Sequence, residues 1–202
     1  MPRANSHERF DPALVVSAYR NGFFPMAESR SGPISWHSPD PRAIVPLDRF
    51  NIPRSLRREM NRSACTMTVD RAFDQVITAC AEGRVPDETW ISTDIIRVYT
   101  ELHRMGIAHS VETWLEGKLV GGLYGLALGA AFFGESMFSR IQNGSKFALV
   151  SLVGRLNARG YRLLDTQIMN EHMRQFGAVN IPRDHYLELL SGALSLTVPF
   201  AD

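Results

Sequence analysis

Cysteine is nearly absent from this chain: Cys65 and Cys80 are the only two among 202 residues, and no Cys-x-x-Cys pair occurs. That excludes a disulfide framework. His-Glu-x-x-His is missing, as is any Cys/His cluster, and His103 and His109 stand six apart, so no metal is expected. No apolar run approaches the roughly 20 residues that a membrane span requires. The stretch Met1 to Phe10 is polar and lacks a signal-peptide core, so a cytoplasmic location is expected. Net charge is only +1, which denies the molecule a strong overall field for nucleic acid. There is no P-loop and no dinucleotide fingerprint, and Gly134-x-Ser136-x-Phe138 fails the nucleophile-elbow pattern. Repeats and low-complexity tracts are absent.

The chain does have enough apolar residues for a real core, 45% hydrophobic against 21% charged. Its length suits a small domain joined to a larger one. Asp11-Pro12 starts a short helix that Gly22 ends. Pro25, Pro33, Pro39, Pro41 and Pro46 then crowd one span and predict a turn-rich N-terminal unit, residues 1–48. From residue 49 to 202 the pattern is regular. Helical spacing recurs at Ala72 to Ala81 and at Asp94 to Met105, and the period then changes to 2. His109 to Leu115, Leu119 to Leu128 and Ala130 to Phe138 read as three antiparallel strands. A helix capped by Ser145 and closed by Gly160, a strand at Tyr161 to Asp165 and a helix from Asn170 to Phe176 follow. The fold class is therefore α+β, with a split expected where the third strand meets Leu163–Gln167. Gly121, Gly122 and Gly125 inside a strand predict close approach by a ligand or another backbone.

Acidic residues interrupt two apolar strands, Glu135 within Gly134-Glu135-Ser136-Met137-Phe138-Ser139-Arg140 and Asp165 within Leu163-Leu164-Asp165-Thr166-Gln167. A buried carboxylate costs several kcal/mol or more unless paired or hydrogen-bonded, so each is either part of a buried network or a functional group. Gln167 lies two residues beyond Asp165, on the same face of a regular strand. An amide oxygen and a carboxylate placed together can orient an amine. His172 reads as a surface or satisfied histidine. Arg54, Arg57, Arg58 and Arg62 crowd one helical segment, Arg54, Arg58 and Arg62 along one face; they form a solvated surface or a phosphate-binding stripe. Trp36, in a loop beside polar residues, is a core plug or a stacking platform for a base. Arg140 to Ser145 joins a strand to a helix N-terminus, where GNAT acetyltransferases hold a pyrophosphate. Asn143 and Ser145 stand where that pattern wants glycine or alanine, which disfavours a coenzyme A-dependent acyltransferase. A binding module without catalysis is the non-enzyme alternative.

Several segments together resemble the leucyl/phenylalanyl-tRNA–protein transferase family. They are Trp36-His37-Ser38-Pro39-Asp40-Pro41-Arg42, Thr89-Trp90-Ile91, His109-Ser110-Val111-Glu112 and Leu119 to Gly125. Phe133 to Arg140, Ser145-Lys146 and Asp165-Thr166-Gln167 complete the series, in consistent order from about Tyr19 to Leu190. The resemblance implies a small N-terminal domain followed by a GNAT-like acyltransferase domain, a mixed sheet flanked by helices. It implies transfer of Leu, also Phe and less Met, from aminoacyl-tRNA to proteins that begin with Arg or Lys, marking them for N-end rule degradation. The partners would be Leu-tRNA and Phe-tRNA, bound at the 3′ end and acceptor stem, with aminoacyl-tRNA as co-substrate and no separate cofactor.

By the same resemblance Gln167, Asp165 and Glu135 would be the catalytic group. Leu123, Phe132, Met137, Leu149, Leu152, Leu156 and Leu164 would line the pocket for the aminoacyl side chain. Trp36 and Trp90 would stack on the terminal adenine, and Arg54, Arg57, Arg58 and Arg62 would touch tRNA phosphates. The sequence departs from the family in Phe24-Pro25-Met26, where a tryptophan is usual at the third place. His37 stands for a second tryptophan and Thr166 for a common cysteine.

Overall fold

The computed structural model of the chain describes residues 10–82 and 89–201. The polar stretch read at Met1 to Phe10 thus lies, apart from Phe10, outside the described residues. Helix α1 (Pro12–Arg20) starts as its sequence dictates: the Asp11 side chain accepts the Leu14 N–H at 2.9 Å, and Pro12 fills a first-turn position that needs no donor. The proline-rich stretch that follows admits only short strands. Strands β1 (Phe24–Ala27) and β2 (Ile34–His37) pair as a two-stranded sheet.

The larger unit is built from β3 (Arg42–Val45), α2 (Arg54–Arg62), β4 (Thr66–Val69), α3 (Phe73–Glu82), α4 (Thr93–Arg104) and β5 (Ala108–Leu115). Next come β6 (Lys118–Leu128), β7 (Ala131–Ser139), α5 (Gly144–Arg159), β8 (Leu163–Gln167), α6 (Glu171–Arg174), β9 (Val179–Ile181) and α7 (Arg183–Leu194). The sheet runs β4-β5-β6-β7-β8-β3-β9. All its pairs are antiparallel except β7–β8, so the α+β class and the mixed sheet flanked by helices are as expected. A division at 48/49 leaves β3 with the N-terminal portion, although its backbone pairs with β8 and β9 inside the large sheet.

Alternating side chains of the strands feed two cores. Phe133, Tyr124 and Leu126 pack with α1, α3, α4 and α7 on one face, whereas Phe132, Leu123 and Leu164 pack with α5 on the other. Gly121 answers the question its position raised: a Cβ there would collide with the backbone of Gly144 at the start of α5. The close neighbour is the protein's own helix. Three boundaries differ from expectation. The N-cap of α5 is Asn143, in the left-handed region at φ 62°, and Ser145 lies in the first turn, where its N–H donates to Ser139 Oγ at 3.1 Å. The strand read at Tyr161 to Asp165 occupies Leu163–Gln167, and α6 spans only Glu171–Arg174 behind its Asn170 cap.

Candidate active site

Strands β7 and β8 pair in parallel only from Ala131 with Leu163 to Phe133 with Asp165, and then diverge. A bulge sits at each lip of this split. On β7 the register jumps from Gly134, opposite Gly125, to Ser136, opposite Tyr124, and Glu135 is the extra residue. On β8 it jumps from Asp165, opposite Ile44, to Gln167, opposite Ala43, leaving Thr166 over. Bulges re-aim side chains, and here they turn Glu135 and Gln167 toward each other: Gln167 Nε2 donates to Glu135 Oε1 at 2.9 Å. Gln167 holds φ 59°, a left-handed conformation costly for a residue with a side chain.

Asp165 maintains that conformation. Its Oδ1 accepts the Gln167 backbone N–H at 2.8 Å and Arg42 Nε at 3.0 Å; its Oδ2 accepts Arg42 Nη2 at 2.7 Å and the Tyr186 hydroxyl at 2.8 Å. Both Asp165 and Arg42 are fully buried. The guanidinium also donates Nη1 to the Gly22 carbonyl and lies between the rings of Phe24 and Tyr186, at 4.9 and 4.4 Å. Burial opposes its charge, but Asp165 outweighs burial and holds Arg42 above its ordinary pKa. Asp165 is therefore a positioning residue: it anchors a strained backbone and does not face the split.

Glu135 has different company. Tyr19 donates to Oε1 at 2.6 Å, Tyr99 approaches Oε2 at 3.4 Å, and the two hydroxyls lie 2.7 Å apart. No cation among the described residues is paired with it. Burial, reinforced by the negative charge of Asp165, pushes its carboxyl up to about 8 against the pull of the Tyr19, Gln167 and Tyr99 hydrogen bonds. Burial and the neighbouring Glu135 also hold Tyr19 and Tyr99 well above the ordinary tyrosine range, so both remain proton donors.

The split opens into a cavity of about 530 Å³, a size that suits a small ligand. One wall is apolar: Leu123, Met137, Leu149, Leu152, Leu164 and Met173. The other carries Phe24, Met26, Trp90, Tyr124, Glu135 and Ser136, with Gln167 at the lip. Of the residues expected to bind substrate, Trp90, Leu123, Met137, Leu149, Leu152 and Leu164 line the cavity; Trp36, Phe132 and Leu156 do not. Phe132 and Leu156 are fully buried core, on the inner side of residues that do line it. Trp36 sits on β2 against Phe10, ring centres 5.9 Å apart, and plugs a core edge. Phe24 and Met26 line the cavity together with Trp90.

Arg54, Arg57, Arg58 and Arg62 are all exposed on α2, which Leu56 anchors from the buried face. Glu59 of the same helix accepts Asn143 Nδ2 at 2.8 Å, tying α2 to the turn before α5, whose Ser145 and Leu149 line the cavity. His172, expected to be a surface or satisfied histidine, lines the cavity instead. Burial and the Lys146 charge lower its pKa, and its Nε2 has no hydrogen-bond partner among the described residues; neither does Ser136 Oγ. Arg42, Tyr19, Tyr99 and Tyr186 carry no sequence signal of their own. The two tyrosines of the Glu135 site come from helices distant in sequence, and only the fold brings them together. No group of three or more His, Cys, Asp or Glu side chains that could hold a metal occurs among the described residues, and no helix there is long and apolar enough to cross a membrane.

Comparison with known proteins is consistent along the chain. A family model described as leucyl/phenylalanyl-tRNA protein transferase matches residues 44–191, and one for the N-terminal domain of that protein matches residues 8–40. The leucyl/phenylalanyl-tRNA–protein transferase of Salinibacter ruber is 53% identical over 95% of this chain and 84% of its own length. That of Chlorobaculum tepidum is 51% identical over 92% of this chain and 96% of its own. Among solved structures, a ribosomal-protein-alanine N-acetyltransferase from Brucella melitensis biovar Abortus covers 56% of this chain and 86% of its own, with TM-score 0.39 and 13% identity.

Proposed function

The chain belongs to the leucyl/phenylalanyl-tRNA–protein transferase family of aminoacyltransferases, and on that premise we propose that it moves Leu, also Phe and less Met, from aminoacyl-tRNA to the α-amino group of proteins beginning with Arg or Lys. The observation that carries this reading is the cavity itself. Apolar side chains of Leu123, Met137, Leu149, Leu152 and Leu164 share the cavity with an amide and a carboxyl, so a side chain such as Leu or Phe and a reacting amine can be held at one split.

The chemistry asks little of the enzyme. An aminoacyl ester is already activated, and aminolysis runs downhill. An α-amine with a reference pKa near 8 is partly neutral at physiological pH. Orientation supplies most of the remaining acceleration. Gln167, held in place by Asp165, accepts a hydrogen bond from the amine. Leu123, Met137, Leu149, Leu152 and Leu164 receive the aminoacyl side chain, and Trp90 stacks on the terminal adenine. A pocket of this type separates side chains by only about 1–3 kcal/mol per methylene, which is consistent with accepting both Leu and Phe. Arg54, Arg57, Arg58 and Arg62 contact acceptor-stem phosphates. Aminoacyl-tRNA is the co-substrate, no separate cofactor is used, and the products enter N-end rule degradation in the cytoplasm.

Charged Leu-tRNA offered with peptides beginning Arg, Lys, Asp or Ala tests the reading. Transfer to the Arg and Lys peptides alone is expected. No transfer, or equal transfer to all four, overturns it.

A further inference from the structure

The proposed reaction must dispose of a proton. An acceptor N-terminus arrives largely as an ammonium, and its nitrogen lone pair is unavailable until one proton leaves. His172 also lines the cavity, but burial and the Lys146 charge lower its pKa and make it a poor holder of a proton; three groups at the split are then candidates. Gln167 has already given its amide N–H to Glu135. Its carbonyl oxygen can accept a hydrogen bond, but an amide does not retain a proton at neutral pH. Asp165 accepts four hydrogen bonds, two of them from the buried guanidinium of Arg42. Protonating it would strand that cation without its counter-ion.

Glu135 remains. Its Oε1 is occupied by Tyr19 and Gln167, whereas Oε2 has only the 3.4 Å approach of Tyr99. The hydroxyl protons of the tyrosines make the point sharper. With Glu135 ionised, Tyr19 donates to Oε1, and Tyr99 has one proton for two acceptors, Tyr19 and Oε2. With a proton on Oε2 the three groups close into a ring: Oε2–H to Tyr99, Tyr99 to Tyr19, Tyr19 to Oε1. The site is thus wired to hold a proton that it does not hold when ionised.

We propose that Glu135 is the proton acceptor of the transfer reaction, taking one proton from the incoming α-ammonium, directly or through one water, and holding it in the ring with Tyr19 and Tyr99. This rests on the aminoacyltransferase reading above. The freed nitrogen lone pair forms the N–C bond to the ester carbonyl as the C=O π pair moves onto oxygen. Collapse of that adduct breaks the carbonyl C–O bond and expels the ribose oxygen with the bonding pair. The second proton of the nitrogen passes to that oxygen, and the proton on Glu135 returns to solvent. The titratable groups facing Glu135 are Tyr19 from α1, Tyr99 from α4 and Asp165 from β8. Burial, reinforced by the Asp165 charge, pushes its carboxyl up to about 8 against the hydrogen bonds of the two tyrosines and Gln167, close to the amine it must relieve of a proton.

The test compares two acceptors in single-turnover transfer from Leu-tRNA at pH about 8, where ionised Glu135 and the α-ammonium are both present in quantity. One is a peptide beginning with Arg; the other is the same peptide with an aminooxy group in place of the α-amine, a nucleophile already neutral. Glu135→Gln should slow transfer to the amine by about 100-fold or more, and transfer to the aminooxy peptide by less than about tenfold on the same scale. Tyr99→Phe should show the same bias at smaller amplitude. This second variant carries the test if Glu135→Gln does not fold. Equal slowing of both acceptors, or unchanged amine transfer, overturns the proposal alone. Failure of the wild-type enzyme to transfer to either peptide overturns the aminoacyltransferase reading, and this inference with it.

Discussion

Glu135 and Asp165 stand on neighbouring strands, one at each lip of the same split, and both interrupt apolar sequence. Asp165 faces the Arg42 guanidinium at 2.7 Å, while Glu135 faces two tyrosines and an amide, with no cation. Asp165 is sealed inside, whereas Glu135 lines a cavity. From sequence alone the two positions are equivalent. The partner makes one a structural anchor for the Gln167 backbone and the other a proton-holding group open to substrate.

The largest effect expected from this contrast is on stability. Arg42→Met removes the cation and leaves Asp165 buried and unpaired, which should cost about 3–5 kcal/mol in urea unfolding. The double variant Arg42→Met/Asp165→Leu should recover a substantial part. A cost below about 1 kcal/mol for Arg42→Met would erase the distinction between the two carboxylates.

Glu135→Gln should act in the opposite sense at alkaline pH. A folded carboxyl pushed up to about 8 from an ordinary 4.5 means the folded state binds more protons than the unfolded state between those values. Its contribution to stability is complete below the unfolded value and is lost as pH rises through about 8. The loss is on the order of a few kcal/mol. Thermal unfolding of the wild type should therefore weaken from mildly acidic to alkaline pH, and the Gln variant should be flatter and more stable at the alkaline end. Identical pH profiles would show that Glu135 is ionised throughout.

A third test separates the apolar wall from the polar lip. Leu149→Phe narrows the wall, and competition between Leu-tRNA and Phe-tRNA should shift toward Leu by about 1–3 kcal/mol. Glu135→Gln should leave that ratio unchanged. If both variants move it alike, selection and proton handling are not divided between the two sides. The smallest effect contrasts the buried Arg42 with the exposed Arg58. Arg58→Ala should change stability by under about 0.5 kcal/mol while lowering the salt dependence of tRNA binding by about one phosphate contact. An unchanged slope after removal of all four α2 arginines would exclude the stripe from tRNA binding.

Much of the fold was legible because it rests on period. The hairpin of β5, β6 and β7, helices α3 to α5 and the split at Leu163–Gln167 all follow from apolar spacing and glycine stops. Strands β3, β4 and β9 were not read: at three or four residues each they are too short to show alternation. Within the site, Glu135, Asp165 and Gln167 announced themselves as polar intrusions into apolar strands. The argument that Asp165 and Gln167 share a strand face missed the bulge at Thr166; they are joined instead by a side chain-to-backbone bond. Trp36, Phe132 and Leu156 belonged to the right elements, but depth within a core has no sequence signature. Arg42 and the tyrosines were invisible because each pairs with a residue more than 80 positions away or, for Tyr99 and Glu135, 36.

Everything else depends on whether Glu135 can hold a proton at the split. Infrared difference spectra of wild type against Glu135→Gln, taken across the pH range around 8 with the glutamate carboxyl carbons isotopically labelled, read this directly. A protonated-carboxyl band is expected in the wild type below that midpoint, lost on ionisation and absent from the variant. A wild-type spectrum with no such band at neutral pH would contradict that expectation.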